Sequence, residues 1–277
     1  LTTLLFKSGS LFRWDGGPRD GGCSDMRIYC PTAPDTSSII LEAVTGTRQT
    51  FERLVVDNSY RILRCGIGTT HGCSQPTIVD VRGYTANVAG ATAIDFVSGP
   101  VLTMRDVVVF ANCGFPQNAT DSHPAAAGTT GVRFGRGAWD TIVIQNLDLN
   151  RYDIDFDVTA VGGVGVSNAW LTDCVFDYAK TAAARFVTGG AGAGIRSWYV
   201  KGCWGVATDG HSWLVDSQVS ATQIRHLHFT DCVGRQSGQN NWRFIGANSD
   251  GIEVLNCHGM GANRLAASNS GSAQDDL

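Results

Sequence analysis

Trp170, Tyr199, His228 and Glu253 follow one another at intervals of 29, 29 and 25 residues, each four positions ahead of a cysteine. An aromatic face can meet the C–H groups of a sugar while imidazole and carboxylate neighbours meet its hydroxyls. Lys201 and His226, each two residues from a member of that series, would widen such a surface. Carbohydrate is the ligand chemistry these residue types suit. His228 over Glu253 would also make a general acid/base pair. A second catalytic candidate is Asp57 with Asp80, because glycosidases place two carboxyl groups about 5–9.5 Å apart. Those two would be diagonal neighbours on adjacent repeats, where Arg82 beside Asp57 offers a plain ion pair instead. For Trp170 and Tyr199 the competing expectation is burial under a loop or a neighbouring subunit, since exposed apolar stripes often mark interfaces.

These residues must be positioned by a repeat. Five times the chain reads apolar–variable–(Asn/Asp/Gly)–Cys, ending at Cys113, Cys174, Cys203, Cys232 and Cys257, with degenerate copies ending at Ser59, Tyr84 and Leu147. The intervals between successive anchors are 25, 29, 34, 27, 29, 29 and 25 residues. A repeat of that length written in strand residues predicts a solenoid. Three and five residues before each anchor every residue is apolar, from Val56 and Leu54 to Val254 and Ile252. That is the period of two that a strand with one buried face requires. The position just before the anchor is Asn58, Gly83, Asn112, Asn146, Asp173, Gly202, Asp231 or Asn256, all types that tolerate a left-handed backbone.

A second strand signal runs out of phase, from Phe12-Arg13-Trp14 to Trp242-Arg243-Phe244. Its middle residues read Arg13, Glu42, Arg64, Asp95, Arg133, Asp155, Arg185, Leu214 and Arg243. With coils about 4.8 Å apart, opposite charges would lie over one another and penalise a slip by one coil. The expectation is an all-β, single-stranded parallel β-helix of about nine coils over residues 1–265. An irregular tail or linker follows over 266–277. The longest connection, Gly114 to Thr130, is a candidate recognition loop.

Composition narrows the function. A formal charge of −4 gives no reason to expect nucleic acid or an anionic membrane as partner. No apolar run approaches the roughly 18 residues of a membrane span. The start, Leu1-Thr2-Thr3, lacks an initiator Met and reads as an internal or processed piece of a longer protein. Nine cysteines, mostly at one repeat position, read as buried free thiols of a reducing compartment. One disulfide among Cys23, Cys30, Cys65 and Cys73 is the alternative. Metal-ligand spacings and a phosphate loop are absent, so neither a metal nor another cofactor is expected. Asn118-Ala119-Thr120 matches a glycosylation sequon by composition.

The Asn/Asp/Gly column with its inward stacks resembles the right-handed β-helix superfamily of pectate lyases, polygalacturonases and phage tailspikes, over roughly residues 10 to 260. The polygalacturonase motifs Asn-Thr-Asp, Asp-Asp, Gly-His-Gly and Arg-Ile-Lys are missing, Cys257-His258-Gly259 being the nearest approach. What remains resembles the trunk of a bacteriophage tailspike or related receptor-binding protein. That resemblance implies a virion protein assembled in the host cytoplasm as a homotrimer with other tail proteins. It also implies binding, and often cleavage, of a bacterial surface polysaccharide. The alternatives are a non-virion lyase, epimerase or glycosidase of the same superfamily, and a structural spacer without ligand.

Overall fold

The computed structural model describes residues 2–5, 9–15, 20–30, 35–66, 72–113, 123–135, 137–217, 223–246 and 249–261. The expected tail over 266–277, the sequon at Asn118 and most of the long connection lie outside these. Within them the chain is all β, and every strand pair is parallel. One sheet runs through ten strands from Thr2–Leu5 to Ser249–Leu255; a second stacks nine strands from Ser10–Trp14 to Trp242–Ile245. Nine rungs make eight coil-to-coil steps, so the chain is a parallel β-solenoid of about eight turns. In the C-terminal half a third face appears, where Val175–Ala179, Trp204–Ala207, Val233–Arg235 and His258–Met260 pair in succession.

Alternation explains the core. Trp198, Leu227, Val200 and Phe229 point inward and are buried, and the four repeat cysteines from 174 to 257 stack in one interior column. All nine cysteines are free, so the disulfide alternative is not realised. Burial pushes the Cys23 thiol up to about 12 and those of Cys30 and Cys257 to about 11, which leaves them protonated and unreactive.

The left-handed column is real, but its membership differs from the expected one. The register aligns Leu147 with Val107 rather than Cys113, and Val107 with Val81 and Leu54. The column is therefore Asp25, Arg53, Asp80, Asp106, Asn146, Asp173, Gly202, Asp231 and Asn256, with φ between 50° and 64°. Gly83 and Asn112 are not left-handed, and Asn58 is left-handed outside this column. In the N-terminal half the strands run straight through the bend, as Thr50–Ser59, Thr77–Ala86 and Leu102–Asn112 do.

The charged ladder of the second sheet also needs one correction. Asp157, not Asp155, lies between Arg133 and Arg185. Arg185 grips Asp157 at 2.8 and 2.9 Å, and Arg133 grips Asp95 at 2.9 and 3.1 Å. Asp155 is instead fully buried two residues earlier, where it accepts the Tyr152 backbone N–H at 3.1 Å through Oδ1. Its Oδ2 has no hydrogen-bond partner among the described residues. Burial, then the neighbouring Asp177 and Asp148, hold its carboxyl well above the usual range. A native pKa above the unfolded one means that the unfolded chain releases the proton first. Stability then falls as pH rises from the ordinary carboxylate range through the raised value. Asp155→Asn, which needs no ionisation, is expected to match the wild type in urea unfolding near about pH 4 and exceed it near about pH 8. A variant weaker at both pH values would mean that a bound carboxylate is required there.

Candidate functional site

The residues of interest come from five consecutive strands, Trp139–Asn150, Gly165–Thr172, Gly194–Lys201, Gln223–Thr230 and Ser249–Leu255. Their register places Val143, Trp170, Tyr199, His228 and Glu253 in one outward column. Trp170 and Tyr199 are each 43% exposed. Their rings stack with centroids 5.9 Å apart and planes 15° apart; Tyr199 and His228 stack at 4.9 Å and 4°. His228 Nδ1 lies 2.9 Å from Glu253 Oε2. Three rings and a carboxylate thus form a continuous strip along the solenoid, fixed by the in-register stacking of parallel strands.

The strip continues toward the N-terminus as Thr103, Thr77 and Thr50, which occupy the same column and add hydroxyls rather than rings. Lys201 is exposed in the next outward column, between Thr172 and Thr230. His226 is exposed but takes a left-handed backbone with φ 54°. It belongs to a second bend column of Thr141, Asn168, Ser197, His226 and Gly251, all at positive φ. Six of the sequence candidates therefore share one face: Trp170, Tyr199, Lys201, His226, His228 and Glu253.

Asp57 and Asp80 do not come together. Asp57 is one residue past the pair Val56–Gly83, whereas Asp80 precedes Gly83 by three, an offset of four residues or about 13 Å along the strand. Asp57 is held by Arg27 at 3.0 Å and Asp80 by Arg82 at 3.1 Å. The ion pair expected between Arg82 and Asp57 is thus replaced by these two. Two structural ion pairs explain both carboxylates, and no glycosidase-type dyad exists there.

The second bend column exposes two residues that strand parity concealed. Each bend inserts one extra residue between inward positions. The residue before each bend also faces out beside the rings. These are Asp140, Ser167, Arg196, Arg225 and Asp250. Arg196 and Arg225 are exposed on the same rungs as Tyr199 and His228. The run Asn168, Ser197, His226, Gly251 was the one signal in the chain that could have revealed them, since such a series suits a left-handed bend.

Chemically, the strip offers the exposed edges of stacked aromatic rings, one imidazole–carboxylate pair able to move a proton, and guanidinium and ammonium groups at its flanks. Among the described residues no group of three or more His, Cys, Asp or Glu side chains could hold a metal ion. No protein-family model matches the chain, and no curated protein matches it either.

Proposed function

We propose that this chain is the β-solenoid trunk of a bacteriophage tailspike or tail-fibre-type virion protein that binds a bacterial surface polysaccharide. The observation that carries the reading is the outward stack of exposed Trp170 and Tyr199 on half-buried His228. Apolar rings left in solvent along a rigid flank suit a ligand that is itself long, ringed and amphipathic. Nine free thiols fit assembly in a reducing host cytoplasm before release. The reading includes a homotrimer joined to other tail proteins. The His228–Glu253 contact supports a second reading, in which the same face also cleaves the polymer as a lyase or glycosidase.

The test is binding to a panel of capsular and O-antigen polysaccharides, with polymer length and reducing ends followed in parallel. At least one polymer is expected to bind. Trp170→Ala is expected to weaken that binding at least about tenfold, with the β-sheet circular dichroism unchanged. Shortened polymer that stays intact with Glu253→Gln would establish the second reading. No binding across the panel, or full binding by Trp170→Ala, would sink the first. A solution mass near three times the 29.5 kDa of the chain is the expected assembly.

A further inference from the structure

Among the described residues, the paired strands set one cation directly against another in a single place, Arg196 opposite Arg225. Elsewhere the stack puts arginine against carboxylate: Asp25 with Arg53, Arg27 with Asp57, Asp20 with Arg48, Asp95 with Arg133, Asp157 with Arg185. Like charges directly opposite on adjacent strands destabilise a sheet. Among the described residues neither arginine of this pair is in an ion pair, although the register sets Asp250 opposite Arg225 on its other side. Arg196 donates to the neutral Gln223 side chain at 3.2 Å. Glu253 is engaged by His228. Lys201, across Tyr199 from Arg196, has no carboxylate partner among the described residues either. A chain of net charge −4 thus gathers, around its Tyr199–His228 stack, three cations that form no ion pair among the described residues.

From this repulsive pair we infer that the face takes an acidic polysaccharide, whose carboxylates are bridged by Arg196 and Arg225 while its sugars run along the exposed ring edges of Tyr199 and Trp170. The inference rests on the glycan reading above and narrows it. A guanidinium presents two parallel N–H donors that match the two oxygens of a carboxylate. Adjacent rungs are about 4.8 Å apart, close to the length of one hexose unit, so successive rungs can meet successive sugars. A bound carboxylate between the two guanidiniums would turn their repulsion into a paired charge.

The experiment compares uronate-bearing capsular polysaccharides with the same polymers after chemical reduction of their carboxyl groups. The probes are the polymers themselves, measured against the intact protein and Arg196→Gln/Arg225→Gln. The acidic form is expected to bind at least about tenfold more tightly than its reduced partner, with affinity falling as salt is added. The double variant is expected to bind both forms equally and to unfold at a urea concentration no lower than the wild type, because a repulsion has been removed. Equal binding of acidic and reduced polymers by the wild type would overturn the inference and leave the glycan reading standing. A preference that survives in the double variant, or a double variant of lowered stability, would overturn it too, by moving recognition elsewhere or giving the pair a structural role. Binding of neither form of any polymer would remove the glycan reading and this inference together.

Discussion

Replacing Trp213 by alanine is expected to lower the unfolding free energy by about 3–5 kcal/mol, the range for emptying a large aromatic site in a packed core. Trp213 is fully buried, stacked at 5.3 Å and 14° on Trp242 and set edge-on to Phe229 at 5.4 Å and Phe176 at 6.0 Å. Its indole N–H donates to the Val233 carbonyl at 3.1 Å. Two glycines make room for it: a Cβ on Gly205 or Gly234 would come within 3.2 Å of the ring. The site cannot collapse around alanine, because coil spacing is fixed by the ladders on either side. Trp213→Phe keeps a ring but loses the hydrogen bond and part of the volume, and a loss of about 1–2 kcal/mol is expected. In a solenoid each coil leans on its neighbours only. Amide exchange in Trp213→Ala should therefore accelerate around His211–Ser217, Trp242–Ile245 and Val233–Arg235, while Leu102–Asn112 stays protected. Uniform acceleration along the chain would show that the coils do not unfold separately.

The architecture was legible in the chain because alternation and the Asn/Asp/Gly column are local, repeated signals. The outward placement of Trp170, Tyr199 and His228 followed from the same alternation and is present in the structure. Register was legible only where the repeat is regular. From Leu147 onward each anchor faces the next, Leu147 to Cys174 to Cys203 to Cys232 to Cys257. Before Leu147 the motif-like phrases at Ser59, Tyr84 and Cys113 lie farther along their strands than the true equivalents Leu54, Val81 and Val107. In those rungs Arg53, Asp80 and Asp106 take the left-handed position, and an arginine there is invisible to a search for Asn, Asp and Gly. The same misalignment put Asp57 near Asp80. Asp155 and Asp157 are equivalent by type and two apart, so parity alone could not choose between them; the guanidinium of Arg185 does.

Asp95→Ala is expected to be the most damaging change in the charged ladder of the second sheet, costing about 3–5 kcal/mol and more than Arg133→Ala. Asp95 has a side chain only 2% exposed and serves two cations: Arg133 bidentately, and Arg61 at 3.5 Å. Arg61 and Arg133 are themselves only 13% and 22% exposed. Burial and the neighbouring guanidiniums of Arg133 and Arg64 both press on Arg61, and the Asp95 charge opposes them. Removing the acid leaves two confined cations repelling each other, with a third nearby that Glu42 holds at 3.6 Å. Removing Arg133 is milder, since Arg61 still stands beside the buried carboxylate. The asymmetry supplies the check. Arg61→Met is expected to destabilise the wild type yet recover part of the loss in the Asp95→Ala background, because there it deletes an unpaired charge instead of a paired one. Urea unfolding of the four proteins measures the coupling directly. Additive effects of Arg61→Met and Asp95→Ala would mean that the two charges do not interact, and that ladder order rests on backbone pairing and core packing alone. Coupling of the expected sign would make this acid a register lock, since a one-coil slip sets arginine against arginine on the half-buried face opposite the core.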